Sequence, residues 1–439
     1  MKMERKTSFL TEKYRSVDRS RVPEIKNINR IAIPEVKTLE LSNGVKVHCL
    51  NSGTQDVLKI EVVFNAGRPV EQKKVASRAT QEMLKEGTST MSNQVISERV
   101  DFFGTYIGST FNLDSNTIGF YCLSRYFKDI LPILSEVLFD PVFPEKELAA
   151  WKQNSKQKLK VDLESTDVLS YRTLTEQIFG KEHPYGYNST AQLFDSINRE
   201  DLINHYQQFY VSDNCQIFLT GKISDEDLVL VDQLIAQKMR SGSVSSPSLM
   251  DTVYNPFKTV IPVKSDVQAS VRMGYKLFSK DHKDYNDLYI LNNLFGGYFG
   301  SRLMMNIREE KGLTYNIYSS LDPFKHDGYF YVGSDTSSEN VNQVIEEVNK
   351  EMFILKTELV PEQELLMLKN YLMGSFLSML DGPFNAGEVV KSYLSDGLNF
   401  DLFKRLIQRV NSIQAEELKE IANKYLNEKD FDIVIVGNH

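Results

Sequence analysis

The chain has few cysteines, and none of them is arranged as a pair. Its 439 residues include three cysteines, which are odd in number and far apart: Cys49, Cys122 and Cys215. Because no C-x-x-C pair is present, the sequence predicts neither a disulfide framework nor a cysteine-bound zinc site. This use of cysteine is typical of a reducing compartment, and we expect a cytoplasmic protein.

Long apolar runs are also missing. No stretch approaches the roughly 18 apolar residues of a membrane-spanning helix, so a bilayer span is not expected. Residues 1–30 contain both basic and acidic side chains and lack the apolar segment of a secretory signal. We expect residues 1–34 to form a polar N-terminal arm that lies on the protein surface or on a partner.

An excess of basic charge is absent as well. The formal net charge is −8 at pH 7, which argues against a nucleic-acid partner because such partners need a concentrated basic face. The hydrophobic share of 41% and the charged share of 25% are those of an ordinary soluble globular protein. At this length a single hydrophobic core is not expected, and the chain should divide into two or more domains.

The histidines do not form a pattern that binds metal. No two of the six are three or four residues apart, as ligands on one helical face would be: His48, His183, His205, His282, His326 and His439. The G-x-S-x-G motif of a serine hydrolase is missing too. The glycines of "FGGYFGSRL" (Phe295–Leu303) lack the GK[ST] ending of a phosphate-binding loop, so nucleotide binding is not expected.

The chain repeats itself. Residues 196–223 match residues 412–439: Ser196 aligns with Ser412 and Gly221 with Gly437, an offset of 216 residues in each case. "FPEKELAAWKQNSKQKL" and "VPEQELLMLKNYLMGSF" begin at Phe143 and Val360, at nearly the same offset. Each of these two begins with a proline followed by acids, which is a helix start. Two matches in the same order predict a tandem duplication.

The duplication sets the expected domain boundaries. We expect an N-terminal domain over residues 35–239 and a C-terminal domain over residues 258–439. Residues 240–257 are rich in Ser, Gly and Pro and read as a linker. Within each unit, hairpin signals and alternating strands mix with amphipathic helices. The predicted fold class is therefore α+β, with each domain a mostly antiparallel sheet packed with helices.

Several stretches resemble the insulinase and pitrilysin family of zinc peptidases. They are, in family order, "LSNGVKV" (Leu41–Val47), "EMLKEGT" (Glu82–Thr88), "HPYGYNS" (His183–Ser189), "YVSDNCQIFLTGKI" (Tyr210–Ile223) and "SRLMMNIREEKGLTY" (Ser301–Tyr315). The last is the most specific, and the resemblance covers nearly everything after Pro34. It implies that the two domains together form a bowl-shaped half of a clamshell.

The resemblance also shows what the chain has lost. In these peptidases, H-x-x-E-H on a helix places two zinc-binding imidazoles on one face and a general base between them. Alignment on "MLKEGT" puts Arg78 and Glu82 at the histidine positions and Gln81 at the catalytic glutamate. Arg cannot release its proton to bind metal, and Gln is no base. The expected third-ligand region contains unsuitable residues as well: Trp151, Lys152 and Gln153.

Arg78 and Glu82 are spaced to form an i, i+4 ion pair. Such a pair stabilises a helix by a few tenths of a kcal/mol, and this one has the less favourable order. It could hold the helix in shape without a metal. A plain solvated helix face explains the two residues equally well.

The second half keeps a different part of the resemblance. Family peptidases place an arginine and a tyrosine, seven residues apart, across a cavity from the zinc, and Arg308 and Tyr315 match that spacing. A tyrosine hydroxyl can donate to a developing oxyanion, and a guanidinium can hold substrate carbonyls. The plainer interpretation makes Arg308 a helix-end cation and Tyr315 a strand aromatic. Because "SRL" and "KGLTY" are intact, we favour the substrate-binding role.

The resemblance suggests a non-catalytic, substrate-binding subunit of a heteromeric zinc peptidase. A homologous partner would carry H-x-x-E-H and bind the zinc, while this chain would bind no cofactor and would contact unfolded peptides. The alternative is a peptidase-like scaffold or peptide-holding protein, since core subunits of a respiratory complex resemble peptidases yet serve structure. An independently active peptidase is a third possibility, and a homodimer of the isolated chain is open.

Overall fold

The computed structural model describes residues 20, 28, 30–247, 249, 256–263 and 268–438. Most of the predicted N-terminal arm and the middle of the predicted linker therefore lie outside the described residues. Within the described ranges, no helix is both long and apolar enough to pass through a bilayer.

The described residues form two sheets and a set of helices around them. The strands are β1 (Lys37–Glu40), β2 (Lys46–Asn51), β3 (Val57–Phe64), β4 (Gly108–Phe111), β5 (Asn116–Leu123), β6 (Cys215–Gly221), β7 (Lys258–Ile261), β8 (Gln268–Leu277), β9 (Thr314–Pro323), β10 (Gly328–Ser337) and β11 (Asp432–Val436). The helices are α1 (Ala76–Met83), α2 (Asn93–Asp101), α3 (Phe127–Phe139), α4 (Glu145–Asp162), α5 (Thr166–Phe179), α6 (Ala191–Ser196), α7 (Arg199–Phe209), α8 (Asp225–Val231), α9 (Tyr285–Asn292), α10 (Val341–Thr357), α11 (Glu362–Met379), α12 (Pro383–Leu394), α13 (Asp401–Ser412) and α14 (Ala415–Tyr425).

The duplicated helices begin where their sequence signals lie. Helices α4 and α11 start directly after Pro144 and Pro361, and each has two glutamates in its first turn, next to the positive end of the helix dipole. Helices α7 and α14 each start with a reciprocal capping box, made by Asn198 with Asp201 in α7 and by Gln414 with Glu417 in α14. The same local chemistry thus starts the same helices twice.

The first sheet has the strand order β1-β2-β6-β3-β5-β4. Its pairs are antiparallel except for β2 with β6. The second sheet repeats this arrangement without a counterpart of β1, in the order β7-β11-β8-β10-β9, and its one parallel pair is β7 with β11. Strands β4 and β9 end the two sheets. The predicted fold class, with two mostly antiparallel sheets packed with helices, is confirmed.

Each sheet buries one face under helices of its own half. Alternate residues of the strands point into that core, as the two-residue period of a strand requires: Leu58, Ile60 and Val62 of β3 are fully buried in the first core. The second core contains the corresponding faces of β8, β9 and β10 together with helices α9 to α14. Ile31, near the described end of the predicted arm, is buried in this second core.

The other face of each sheet is partly covered by a helix from the opposite half. Helix α5 of the first half packs on β8 and β11, where Leu174 and Ile178 join Val434 and Val436 in a third apolar cluster. Helix α12 of the second half packs in the same way on β6 and β2 of the first sheet. This exchange ties the two halves together. Each exchanged helix covers only part of the sheet face on which it packs, and the strands β4 and β9 at the far edges stay uncovered on that face.

Charged groups anchor both exchanged helices. Arg272 of β8 is almost fully buried and pairs with Asp167 of α5. Lys391 of α12 pairs with Glu61 of β3 at 2.6 Å. Because a buried charge is costly unless it is paired, these contacts fix where each helix sits on the opposite sheet.

Candidate functional site

Helix α1 is held at its start by a partly buried carboxylate. The Glu71 carboxylate accepts the backbone N–H of Ser77 at 3.1 Å and the hydroxyl of Tyr187. Burial raises the pKa of Glu71 to about 7, against the opposing influence of these hydrogen bonds and of nearby Arg68. The guanidinium of Arg68 lies 4.1 Å from the centre of the Tyr187 ring. A hydrogen-bonded network therefore fixes the N-terminus of α1, the helix that aligns with the H-x-x-E-H motif.

Gln81, at the position of the catalytic glutamate, is locked into the protein interior. It is only 1% exposed. Its amide nitrogen donates to the Thr117 carbonyl at 2.7 Å and to the Ser109 hydroxyl at 3.0 Å. Its amide oxygen accepts the Tyr210 hydroxyl at 2.8 Å, and that hydroxyl in turn accepts Asn116 Nδ2 at 2.9 Å. Every polar atom of the Gln81 side chain thus has a partner within the protein.

Arg78 and Glu82 lie beside this network on the outer side of α1. Arg78 Nε donates to Glu82 Oε1 at 2.9 Å, which is the i, i+4 pair that their spacing allows. The other oxygen of Glu82 accepts the indole N–H of Trp151 from α4. Arg78 also lies over the ring of Phe194, which packs edge-to-face against Trp151 at 5.6 Å. The space around the degenerate motif is therefore filled by side chains of α1, α4 and α6.

These side chains are poor ligands for zinc. A guanidinium keeps its proton and an amide is a weak donor, so Glu82 is the only ordinary zinc ligand among the three aligned positions. Glu82 is already paired with both Arg78 and Trp151. Over the described ranges, no group of three or more His, Cys, Asp or Glu side chains could hold a metal ion.

Arg308 lies on the surface of the second half. It belongs to a π-helical segment, Met304–Glu310. Gly312 follows this segment with a φ of +62°, the left-handed backbone conformation that commonly ends a helix and favours glycine. The guanidinium lies 5.0 Å from the centre of the Phe299 ring and pairs with Glu309 at 3.1 Å.

Tyr315 follows Gly312 at the start of β9 and is 94% exposed. Among the described hydrogen bonds and ion pairs, none joins Arg308 to Tyr315. Both side chains stand on the same helix–turn–strand element and are open to a large partner. The structure thus separates the two predicted groups of site residues. In the first half Gln81 is buried in the interior with Arg78 and Glu82 partly exposed beside it, whereas Arg308 and Tyr315 lie on the surface of the second half.

A cavity of about 590 Å³ opens between the two halves. Its wall on one side is the open face of β3, β5 and β4, and on the other side it is the C-terminal part of α12 with Lys280. Phe324, at the tip of the β9–β10 hairpin, closes one end and stacks on Tyr185 at 4.3 Å. Cavities of this size at domain interfaces are common ligand sites.

A box of four charges crosses this cavity. Lys59 contacts Glu61 at 2.9 Å and also Glu388, while Lys391 contacts Glu388 at 2.7 Å. Although burial alone would lower it, the two glutamates raise the pKa of Lys59. Although burial alone would raise it, the two lysines lower the pKa of Glu388. The box pairs two lysines with two glutamates, so its formal charges balance and each side chain has partners of opposite charge.

Sequence reasoning did not identify the residues that build these features. Tyr210 lies in a repeated segment that also carries the family resemblance, but neither pattern indicates that its hydroxyl donates to Gln81. Lys391 and Glu388 belong to α12, which no sequence pattern assigned to the first sheet. The signal that could have found them is the duplication itself: residues 166–179 and 383–394 are equivalent at an offset of 217, and both helices cross over.

Comparison with known protein families identifies the second half most directly. Residues 196–372 match the family described as Peptidase M16 inactive domain. This match covers the segment that contains Arg308 and Tyr315, together with most of the second sheet.

Two relatives illustrate the range of similar proteins. A protein of Bacillus subtilis named "Uncharacterized zinc protease YmxG" is 24% identical over 92% of this chain and 98% of its own length. A "Probable mitochondrial-processing peptidase subunit beta" from Arabidopsis thaliana is 20% identical over 93% of this chain and 79% of its own length. The chain therefore resembles these proteins along nearly its whole length.

A solved structure supports the fold. The crystal structure of a peptidase M16 inactive domain from Pseudomonas fluorescens superposes with a TM-score of 0.85 at 23% identity, covering 92% of this chain and 98% of that one. The similarity extends over both sheets. The structure supports the fold, and the family match together with the Bacillus relative confirms the resemblance first seen in five short stretches.

Proposed function

We propose that this chain, whose residues 196–372 match the peptidase M16 inactive-domain family, is the non-catalytic, substrate-binding subunit of a heteromeric zinc peptidase. One contrast carries this proposal. The positions that bind and activate metal-bound water in the family are filled by a paired arginine and glutamate and by a buried glutamine. The resemblance implies an arginine and a tyrosine that face the zinc, and both are present: Tyr315 is exposed, and Arg308 is partly exposed.

In this proposal a homologous partner brings H-x-x-E-H and its zinc to the surface that carries Arg308 and Tyr315. Tyr315 would donate its hydroxyl to the carbonyl oxygen as that oxygen becomes negative, which is worth most in a site that excludes water. Arg308 would hold a neighbouring carbonyl of the peptide. Tyr315 is 94% exposed in the isolated chain, so its hydroxyl is accessible to a partner subunit.

The substrates in this proposal are unfolded peptides. Strand β4 ends the first sheet and has a free backbone edge beside α1, where an extended peptide could add as a further strand. Recognition of this kind depends on hydrogen bonds to the peptide backbone more than on contacts with its side chains. The name of the plant relative, a subunit of a processing peptidase, supports an assembly of more than one kind of chain.

The proposal includes a reducing, cytoplasmic location. Cys49, Cys122 and Cys215 are free and buried in the first core. Burial raises the pKa of the Cys49 thiol to about 11 and that of the Cys122 thiol to about 12, so both remain protonated and unreactive.

Reconstitution tests the proposed function. The chain is co-expressed with an H-x-x-E-H homologue, and cleavage of a fluorogenic peptide is measured for the purified pair and for each chain alone. Only the pair should cleave. Tyr315→Phe in this chain should lower kcat by about 10²- to 10³-fold, the usual effect of removing one oxyanion donor.

Tyr371→Phe is the matched control, because Tyr371 is a partly exposed tyrosine on α11, a different element from the helix–turn–strand segment that carries Arg308 and Tyr315. It should leave kcat unchanged. Equal rates for wild type and Tyr315→Phe would refute the role of Tyr315. If no H-x-x-E-H homologue binds the chain, the scaffold or peptide-holding alternative would replace the proposal.

A further inference from the structure

The open face of the first sheet has an unusual surface next to its free edge. Residues of β3 and β5 that point away from the core line the cavity, and β4 lies outside them as the last strand. In the row that crosses these strands, Glu61 of β3 is paired with Gly119 of β5, and Gly119 is paired with Gly108 of β4. Two adjacent positions in this row therefore carry no side chain.

Packing of the sheet requires glycine at only one of these two positions. A Cβ at Gly119 would lie 2.0 Å from the carbonyl oxygen of Ile60, so only glycine fits there. A Cβ at Gly108 would meet only the ring of Tyr106, at 3.4 Å, and the Gly119 carbonyl oxygen at 3.8 Å. Packing of the sheet therefore does not require a glycine at position 108. The two residues together make a flat floor that reaches the edge of the sheet.

Aromatic rings form a wall at one end of this floor. Tyr106 and Tyr121 are 57% and 46% exposed, and their ring centres are 5.9 Å apart in an edge-to-face arrangement. Phe384 of α12 continues the series, 6.2 Å from Tyr121. At the other end, the next row in the same register is the pair Thr110–Thr117. The floor is thus bounded along β5 by aromatic rings on one side and by threonines on the other.

The segment that positions Tyr106 is a second copy of the segment that positions Tyr315. Gly104 ends α2 with a φ of +71°, as Gly312 does in the second half with +62°. A buried threonine follows in both cases and donates its hydroxyl to a carbonyl of the neighbouring strand: Thr105 to Tyr121, and Thr314 to Asp335. The tyrosine comes directly after each threonine.

We propose that this glycine floor and tyrosine wall bind an aromatic side chain of an extended peptide paired with β4. A peptide strand added to β4 would place one residue directly beside Gly108, and a cross-strand neighbour lies about 5 Å away between Cβ positions. Because Gly108 and Gly119 are bare, that side chain can fold over them and meet Tyr106. An aromatic ring opposite a glycine at a sheet edge is a known stabilising arrangement.

The chemistry of the surroundings favours an aromatic over a charged side chain. The adjacent Lys59, Glu61, Glu388 and Lys391 are already paired with one another, so a charged side chain would gain no free partner from this box. A third ring can add an edge-to-face contact with Tyr106, which is worth more than its buried area alone. The inference deepens the proposed function, on which it rests, by naming the residue class that the substrate carries opposite Gly108.

Binding to the isolated full chain tests this inference without a catalytic partner. Short, unstructured, dye-labelled peptides that differ only in a central Phe or Ala are titrated with the chain, and Kd is measured by fluorescence anisotropy. The Phe peptide should bind about tenfold more tightly than the Ala peptide, the effect of one well-formed aromatic contact with its buried area. Gly108→Thr fills the floor, and Tyr106→Ala removes the wall. Each should bring the Phe/Ala ratio close to one.

Phe102→Ala is the matched control. Phe102 is 83% exposed and lies four residues before Tyr106, but it does not line the cavity. It should leave the ratio unchanged. Equal Kd values for the two peptides on the wild-type chain, or an undiminished ratio in Tyr106→Ala, would overturn the subsite. Loss of the subsite would leave the proposed function standing, because that rests on the Tyr315→Phe effect on cleavage, a separate readout.

Discussion

Replacing Gln81 by Glu restores the catalytic residue type of the family motif and should damage the protein. Gln81 donates two hydrogen bonds from its amide nitrogen, to the Thr117 carbonyl at 2.7 Å and to the Ser109 hydroxyl at 3.0 Å. A carboxylate oxygen at that place would face the Thr117 carbonyl as a second acceptor, inside a site that is 1% exposed. The variant can relieve this conflict only by taking up a proton.

The magnitude follows from this protonation. When the new carboxyl is protonated it can make one of the two lost bonds, so the expected loss of stability is about 1 kcal/mol. Burial and the facing carbonyl raise its folded-state pKa above the roughly 4.3 of an unfolded glutamate. A raised acid pKa means that stability falls as pH rises above the unfolded value. If the folded pKa reaches about 7, a further loss of about 3 to 4 kcal/mol accumulates by pH 8.

Urea unfolding at pH 5 and pH 8 measures both losses of stability, the one from the lost hydrogen bond and the one that grows with pH. The single tryptophan, Trp151, donates its indole N–H to Glu82 one residue from Gln81, so its fluorescence reports this part of the fold directly. Gln157→Glu, on the exposed face of α4, is the matched control and should change stability by less than about 0.5 kcal/mol. A Gln81→Glu protein as stable as wild type at pH 8 would show that the hydrogen-bond network does not hold α1.

Two further substitutions probe the frame around the site. Glu71→Gln should remove a pH dependence of stability, because burial raises the pKa of Glu71 to about 7 from 4.5. Wild-type stability should therefore fall by about 3 kcal/mol relative to the variant as pH rises from 4.5 to 8. Parallel curves of unfolding free energy against pH for the two proteins would contradict this assignment. Asp167→Ala should destabilise the fold by about 3 kcal/mol in urea unfolding at neutral pH. Among the residues that the structure describes, it leaves buried Arg272 with Asp335, at 3.8 Å, as its carboxylate neighbour. A loss below about 0.5 kcal/mol would mean that this anchor does not hold α5 on the second sheet.

Local chemistry in the sequence predicted much of the fold. Proline with acids marked the starts of α4 and α11. The repeated segments predicted two similar sheets, because a duplicated pattern of caps and strands produces the same local structure twice. These features depend on residues close together in the chain, which is why they can be read from it.

The exchange of α5 and α12 could not be read in this way. An amphipathic stripe shows which face of a helix is buried but not which sheet covers it. The choice depends on distant pairs such as Lys391 with Glu61, which are 330 residues apart. The same limit applies to the site. Spacing predicted the Arg78–Glu82 pair, but the Trp151 contact and the Tyr210 bond to Gln81 come from packing between separate helices.

Zinc content tests the central claim most directly. We expect the purified chain, after exposure to zinc and removal of the excess, to hold no stoichiometric metal by elemental mass spectrometry. Its complex with an H-x-x-E-H homologue should hold one zinc ion per pair. One zinc per isolated chain, lost on Glu82→Ala, would contradict the claim that the side chains around α1 have replaced the metal.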